Sequence, residues 1–263
     1  MQVTRTDAYG NDFLIVSRAD AGDEATWPAL ARTLCHRRTG IGADGLLIIE
    51  EPPAGARMQL RNADGSYSEV SGNGVRCLGA WLAIRRDLPV GASVTVETDA
   101  GPKHLALLAR DGHRCTFRAS MGEPTDIRRF VLDVHGEAVD LVTLSVGNPQ
   151  CVVLGPLSEE RLQRLGSRLA THPWFPEGTN VELARVDAPD RVSILIWERG
   201  VGPTQSSGTG TCAAAVAAAC FGNAQRTMDV EAPGGTQHVE WLDDGLWLTG
   251  WADVLSETAY PRP

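Results

Sequence analysis

Two glycine-rich segments, each followed at once by an apolar run of helical spacing, are the residues of this chain best suited to chemistry. They read SGNGVRC at 71–77 and SGTGTC at 207–212. A turn of this kind that opens a buried helix directs several backbone N–H groups at one point, and the helix dipole adds partial positive charge there. Such a point binds an anion, for example an α-carboxylate or a phosphate. The pattern therefore predicts two anion sites, headed by Ser71 and Ser207.

Two other interpretations of these segments stay open. In the first, Ser71 and Ser207 are ordinary N-caps and the glycines serve only close packing. In the second, GTGTCA at 208–213 is a dinucleotide fingerprint of the form G-x-G-x-x-A, with Asp229 about 20 residues further on. The second fits poorly, because the preceding strand pattern ends near Trp197 and the fingerprint requires strand, turn and helix in immediate succession.

The chain contains an internal repeat. A Gly-Asn pair recurs at 10–11 and 147–148, a spacing of 137, and the two glycine-rich segments lie 136 positions apart. The same offset brings the Arg-Asn pair at 61–62 opposite the Glu-Arg pair at 198–199, and each pair ends a strand-like run. Features that share one register indicate a duplicated unit.

The surrounding pattern predicts many strands and three helices. Helices are predicted over Val75–Ile84 and Thr211–Phe221, and the second is apolar all round, so we expect it to be buried. A third, around Arg161–Thr171, mixes leucines with arginines and is expected at the surface. The remaining apolar runs have strand length and strand composition.

These elements predict an α+β fold of two pseudo-symmetric lobes, each a curved, mostly antiparallel sheet wrapped around a central helix. We place the N-terminal lobe at 1–120 and the C-terminal lobe at 121–250. The last segment, 251–263, is expected to return to the N-terminal lobe. The polar stretch SMGEPTDIRR at 120–129 is predicted to be a strandless linker.

Composition argues against several partners and mechanisms. The formal charge of −9 and the pI near 5.2 would repel a phosphate backbone, so no nucleic-acid partner is expected. No apolar run reaches the ~20 residues of a membrane span, and residues 1–20 lack a signal-peptide pattern, which predicts a cytoplasmic protein without membrane association. Lys103 is the only lysine, and its surroundings suit neither a pyridoxal phosphate Schiff base nor a Walker A loop. The six cysteines and six histidines lack metal-ligand spacing, so no metal is expected.

Eight motifs, in order along nearly the whole chain, resemble those of the diaminopimelate epimerase family, within the wider group of proline-racemase-like enzymes. They are GNDF at 10–13, TGIGADGLL at 39–47, RNADGS at 61–66, SGNGVRC at 71–77, GNPQCVV at 147–153, EGTNVEL at 177–183, ERGVG at 198–202 and SSGTGTCAAA at 206–215.

The resemblance implies a cofactor-independent isomerase with two pseudo-symmetric lobes and an active site in the cleft between them. Members of the family remove the α-proton of an amino acid with one cysteine and reprotonate the opposite face with a second, each at the start of a central helix. The implied substrate is diaminopimelate or a similar small-molecule amino acid, and the family suggests a homodimer.

This chain departs from the family pattern at the reacting positions. Ser71 and Ser207 stand where the two cysteines are expected, and a hydroxyl is far less acidic than a thiol with its pKa of about 8.5. Gln150 replaces a histidine, Asp7 lies in a stretch that usually reads Met-His-Gly, and Pro203 stands where glutamate is common. These three changes favour natural divergence over a deliberate Cys→Ser substitution. The standard two-thiol mechanism is therefore not expected here.

The groups that the resemblance assigns to substrate binding are mostly retained. Taken singly, their asparagines would be expected to satisfy turns, and Glu198 with Arg199 would be a surface ion pair; as a set at motif positions they favour binding. Arg199 is the natural partner for a distal carboxylate. The predicted binding residues are Asn11, Asn62, Gly72, Asn73, Asn148, Gln150, Asn180, Arg199, Gly208 and Thr209.

Three functions stay open on this basis. The chain is an isomerase that epimerises through Ser71 and Ser207, with Glu198 as base and Ser207 as relay. Alternatively, the same fold performs one-sided proton transfer, such as an elimination or a shift. The third option is a catalytically silent homologue that binds amino acids.

Overall fold

The computed structural model describes residues 1–52 and 55–261 and divides the chain into two compact units. Unit 1 consists of Met1–Ala119 together with the chain from Gly250 onward, and unit 2 is Ser120–Thr249. Among the described residues, no helix combines the length and the apolar character needed to cross a membrane.

The described residues of unit 1 form two longer helices and two short helical turns among its strands. Its central helix is α3, Gly72–Arg85. In chain order its elements are β1 Gln2–Ala8, β2 Asn11–Ser17, α1 Arg18–Ala21, a 3-10 turn Glu24–Thr26, α2 Trp27–Cys35, β3 Gly45–Glu50, β4 Ala56–Asn62, β5 Tyr67–Ser68, α3, β6 Ser93–Thr98, β7 Gly101–Asp111 and β8 Arg114–Gly122, whose last residues belong to unit 2.

Unit 2 has the same plan. Its central helix is α5, Gly208–Phe221. Its elements are β9 Thr125–Val134, β10 Glu137–Ser145, β11 Pro149–Leu154, α4 Glu159–Ala170, β12 Asn180–Ala188, β13 Arg191–Glu198, β14 Gly202–Thr204, α5, β15 Thr227–Ala232, β16 Gly235–Leu242 and β17 Gly245–Ala259, which continues into unit 1.

Strand pairing confirms the duplication and the α+β fold. In unit 1, β2 pairs with β3 in parallel across helix α2, and β4 pairs with β6 in parallel across helix α3. In unit 2, β11 and β12 form the corresponding parallel pair across α4, and β13 and β15 do so across α5. The other pairs described within each unit are antiparallel, such as β1 with β2 and β10 with β11.

Side-chain alternation in the middle strands produces a two-sided core. In unit 1, Ile15 and Leu47 pack in the cluster around α3, whereas Leu14 and Leu46 pack in the cluster around α2. In unit 2, Val152 packs with α5, and its neighbours along β11 pack with α4. Successive side chains of a strand point to opposite faces of the sheet. The middle strands of unit 1 are therefore covered by α3 on one face and α2 on the other, and those of unit 2 by α5 and α4.

The three predicted helices are confirmed, with starts two to three residues earlier than predicted. The predicted linker at 120–129 is wrong: Ser120–Gly122 end β8, and β9 begins at Thr125. Its register with β10 pairs Thr125 with Ser145 and Arg129 with Val142. Backbone pairing therefore extends β9 through residues 125–129, where most side chains are polar and exposed and give no hydrophobic alternation.

Candidate functional site

Both glycine-rich segments form the start of a buried helix, as predicted. Ser71 and Ser207 are the N-caps of α3 and α5, each with extended backbone dihedrals. Ser71 Oγ accepts a hydrogen bond from Gly74 N–H at 3.1 Å, and Ser207 Oγ accepts one from Gly210 N–H at 3.2 Å. The N-cap interpretation is thus correct for both serines, and each hydroxyl retains its own proton as a donor.

The third residue of each central helix is a glycine, Gly74 in α3 and Gly210 in α5, and its lack of a side chain lets a strand of the sheet approach the helix. A Cβ on Gly210 would lie 2.5 Å from Glu182 Oε1, and a Cβ on Gly74 would lie 3.3 Å from Leu47 Cδ2. A Cβ atom on Gly210 would therefore overlap the Glu182 carboxyl, whereas a Cβ atom on Gly74 would make a close contact that a small shift of Leu47 can relieve. Gly72, Gly208 and Thr209 fill the first helical positions, whose N–H groups have no intrahelical acceptor by helix geometry.

In unit 1 a polar network connects the helix start to the β1–β2 turn. Asn73 Nδ2 donates to Asn11 Oδ1 at 3.2 Å, and Asn11 Nδ2 donates to Asp44 Oδ2 at 2.9 Å. Asn73 and Arg76 are both almost fully buried, and the Arg76 guanidinium donates to Asn73 Oδ1. Two predicted binding residues, Asn11 and Asn73, are therefore in direct contact, and Asp44 and Arg76 are site neighbours that sequence reasoning missed.

Asn62 has a local structural contact. Its Nδ2 donates to Ser66 Oγ at 2.9 Å across the β4–β5 turn. This bond is the turn-satisfying arrangement considered from the sequence. Its carbonyl side remains chemically able to accept, so a binding role for Asn62 stays a prediction.

In unit 2 the predicted binding residues form two hydrogen-bonded pairs. Gln150 Nε2 donates to Asn148 Oδ1 at 2.6 Å, and Arg199 N–H donates to Asn180 Oδ1 at 2.9 Å. Gln150 and Asn180 face each other in the β11–β12 register, so the pairs are neighbours. The exposed Arg199 guanidinium donates to the Glu177 carbonyl at 2.7 Å, which fixes its side chain.

Glu198 ends β13 beside the segment that leads into α5. Thr204 Oγ1 donates to Glu198 Oε1 at 2.8 Å, and Thr204 lies three residues before Ser207. A second carboxyl group, Glu182, is fully buried on β12, and neither of its oxygens has a hydrogen-bond partner among the residues that the structure describes. Burial, and next the nearby Glu198, raise the pKa of Glu182 well above its ordinary value.

Sequence reasoning missed Glu182, although the repeat contains a signal for it. Strand β12 places Val181 and Leu183 on the α4 face, so Glu182 must face α5. The parallel pair β2–β3 begins at Gly45, and the corresponding pair β11–β12 begins at Asn180. Leu47 and Glu182 each lie two residues after these starts, so they occupy equivalent positions in the two units. A carboxylate at a position whose duplicate is a buried leucine indicates a role other than packing.

The Cys77 thiol does not replace the cysteine that the family pattern has at the position of Ser71. All six cysteines lie in the described part of the chain and are free. Cys77, in α3, is fully buried, and burial raises the pKa of its thiol to about 12. A thiol of this kind is not ionised near neutral pH and is a poor nucleophile.

Comparison with known proteins places this geometry in context. A family model described as diaminopimelate epimerase matches residues 4–127 and 142–255. A diaminopimelate epimerase from Desulforudis audaxviator is 39% identical over 279 residues, covering 100% of both chains. One from Corynebacterium glutamicum is 40% identical over 263 residues, covering 95% of this chain and 94% of the relative.

Solved structures share the fold at low sequence identity. A hydroxyproline epimerase from Agrobacterium vitis superposes with a TM-score of 0.73 at 16% identity, covering 98% of this chain and 91% of that one. A phenazine biosynthesis protein of the PhzF family from Bacillus anthracis gives 0.72 at 18% identity, with 98% of each chain covered. This likeness confirms the predicted two-lobe α+β fold.

The two helix-start glycines should differ in their tolerance of a methyl group. Gly210→Ala should lower the free energy of unfolding by about 1–3 kcal/mol, because the added methyl overlaps the buried Glu182 carboxyl. Gly74→Ala is the matched control, and helix propensity should keep its change within about 1 kcal/mol. Urea denaturation of both variants checks this, and equal losses would contradict the assigned contact.

Glu182 should make stability depend on pH. Its pKa is raised in the folded chain, so above the unfolded value of about 4.3 the folded state retains a proton that the unfolded state has released. Between the unfolded-state pKa of about 4.3 and the raised folded-state pKa of Glu182, the unfolding free energy of the wild type should therefore fall as pH rises, by at most about 1.4 kcal/mol per pH unit. Glu182→Leu should lack this slope, and parallel denaturation curves from pH 4 to pH 8 would refute the assignment.

Proposed function

This chain belongs to the diaminopimelate epimerase family, and we propose that it is an isomerase that acts without a cofactor at the α-carbon of diaminopimelate or a similar amino acid. The observation that carries the proposal is the repeated helix start. Each unit presents a glycine-rich first turn with a serine N-cap, at the two places where the family pattern has its thiols. The names of the full-length relatives support diaminopimelate as the first substrate to test.

The helix starts supply the electrostatic part of the reaction. Loss of an α-proton puts negative charge on the substrate carboxylate, and preorganised N–H donors stabilise that charge. Gly72 in unit 1, and Gly208 with Thr209 in unit 2, present first-turn N–H groups with the positive end of a helix dipole. Binding and charge stabilisation thus need no thiol.

Proton transfer is the step that the serines alter. A hydroxyl removes a proton efficiently only if a base accepts the hydroxyl's own proton. Ser207 Oγ receives the Gly210 N–H bond, which leaves its proton available to a base, and Glu198 is the candidate base beside the segment entering α5. Ser71 has the same arrangement with Gly74.

An amino-acid-binding homologue without catalysis is the second candidate. It is favoured by the N-cap role of both hydroxyls, which explains the serines by helix stability alone. Ser and Thr caps are worth about 1 kcal/mol over alanine. Both candidates predict binding, and only the isomerase predicts exchange of the α-hydrogen.

Restoring thiols should accelerate the reaction. The Ser71→Cys/Ser207→Cys variant should raise the rate of α-deuterium incorporation from D₂O into diaminopimelate by about 10²–10⁴-fold, because a thiol with a pKa near 8.5 serves as acid and base. Ser71→Ala/Ser207→Ala is the matched control and should show no exchange. Mass spectrometry of the amino acid, with a panel of other amino acids in parallel, measures the rate.

The outcomes separate the two candidates. Exchange by the wild type that rises in the cysteine variant supports the isomerase. Measurable binding with no exchange by either protein identifies a binding homologue.

A further inference from the structure

Glu182 is a buried carboxyl group that the steps above do not use. It lies on β12, where Val152 of β11 and Ile196 of β13 are its register partners. Its exposed fraction is 0%, and within the described part of the chain neither oxygen has a hydrogen-bond partner. A buried polar group without a partner is costly, so its retention calls for an explanation.

The Glu182 carboxyl is directed at the first turn of α5. Its Oε1 lies 2.5 Å from the point that a Cβ on Gly210 would occupy, and Gly210 N–H donates to Ser207 Oγ. The carboxyl group therefore touches the residue that is hydrogen-bonded to the Ser207 hydroxyl.

The duplicate half shows that packing does not require a carboxyl at this position. Leu47 occupies the corresponding place, is fully buried and lies against Gly74. Asn62 is the last residue of β4, as Glu198 is the last residue of β13. Unit 1 therefore has leucine and asparagine where unit 2 has two carboxyl groups, although the strands and the central helix are otherwise alike.

The groups around Glu182 favour its undissociated form. Burial raises the pKa of Glu182, and Glu198 on β13 raises it further. Cys151 on β11 is buried on the α4 side of the sheet, and residues 207–211, the N-cap and first turn of α5, carry no titratable carboxyl, imidazole or amine. Two interacting carboxyl groups release their protons in two separated steps, and the second step then lies closer to neutral pH, where general bases work best.

We propose that Glu182 is a positioning residue for proton transfer: with Glu198 it forms a carboxyl pair that accepts the Ser207 hydroxyl proton. In the step, the substrate Cα–H bond breaks and its electron pair stays on the substrate. The α-proton bonds to Ser207 Oγ, and the proton that Oγ carried bonds to a carboxylate oxygen of the pair. Ser207 is again a hydroxyl after this step, and loss of the accepted proton from the pair regenerates the carboxylate. This inference rests on the proposed isomerase function.

The pH profile of α-hydrogen exchange tests the carboxyl pair. The wild-type rate should rise with pH through an ionisation above the ordinary glutamate range near 4.3. In Glu182→Gln and Glu182→Leu the exchange rate should fall by about tenfold or more, because a general base contributes roughly 10²–10⁴-fold and these variants lose part of that contribution. The pH at which the exchange rate rises should also be lower in both variants. Glu182→Leu introduces the residue of the duplicate half, so it should fold.

The control is Glu231→Gln, an exposed carboxyl on β15 of the same unit, which should leave rate and profile unchanged. Exchange with the wild-type profile in both Glu182 variants would overturn the carboxyl pair and leave the isomerase standing. Binding without exchange, in the wild type and in the Ser71→Cys/Ser207→Cys variant, would overturn the isomerase and the pair with it.

Discussion

The structure depends on two helices that begin inside the protein. Helices α3 and α5 are buried along most of their length, so the N–H groups of their first turns lie where acceptors are scarce. A serine hydroxyl satisfies one N–H in each helix, and glycine at the third helical position lets a strand lie against the turn. The remaining first-turn groups keep their polarity for a ligand. The residues that satisfy the helix starts are thus the same ones that we propose bind an anion.

Much of this follows from the sequence because it is local or repeated. Apolar periodicity and glycine spacing define α3 and α5, and the shared register of the Gly-Asn pairs reveals the duplication. The first half of strand β9, residues 125–129, was missed, since it is held by backbone pairing with β10 and most of its side chains are polar and exposed. The sequence also says nothing direct about how far Glu182 is buried, which depends on β11, β13 and α5 packing around it.

Duplication gives the chain an internal control on its own chemistry. Both units use the same strand order and the same serine cap, so these features answer the needs of the fold. Only unit 2 has carboxyl groups at these positions: Glu182 corresponds to Leu47 in the strand register, and Glu198 ends β13 as Asn62 ends β4. A buried carboxyl without a partner costs on the order of 1–3 kcal/mol relative to a satisfied one. The differences between the units, more than their similarities, therefore indicate where chemistry was selected.

The central claim is that the first-turn N–H groups of the serine-capped helices bind the substrate carboxylate. Amide ¹H–¹⁵N spectra recorded during titration with diaminopimelate test this claim most directly. The account predicts saturable downfield shifts at Gly72, Gly208 and Thr209, because a carboxylate hydrogen-bonds those amides, and little change at exposed glycines such as Gly112. Saturable binding that leaves these three amides unshifted would contradict it.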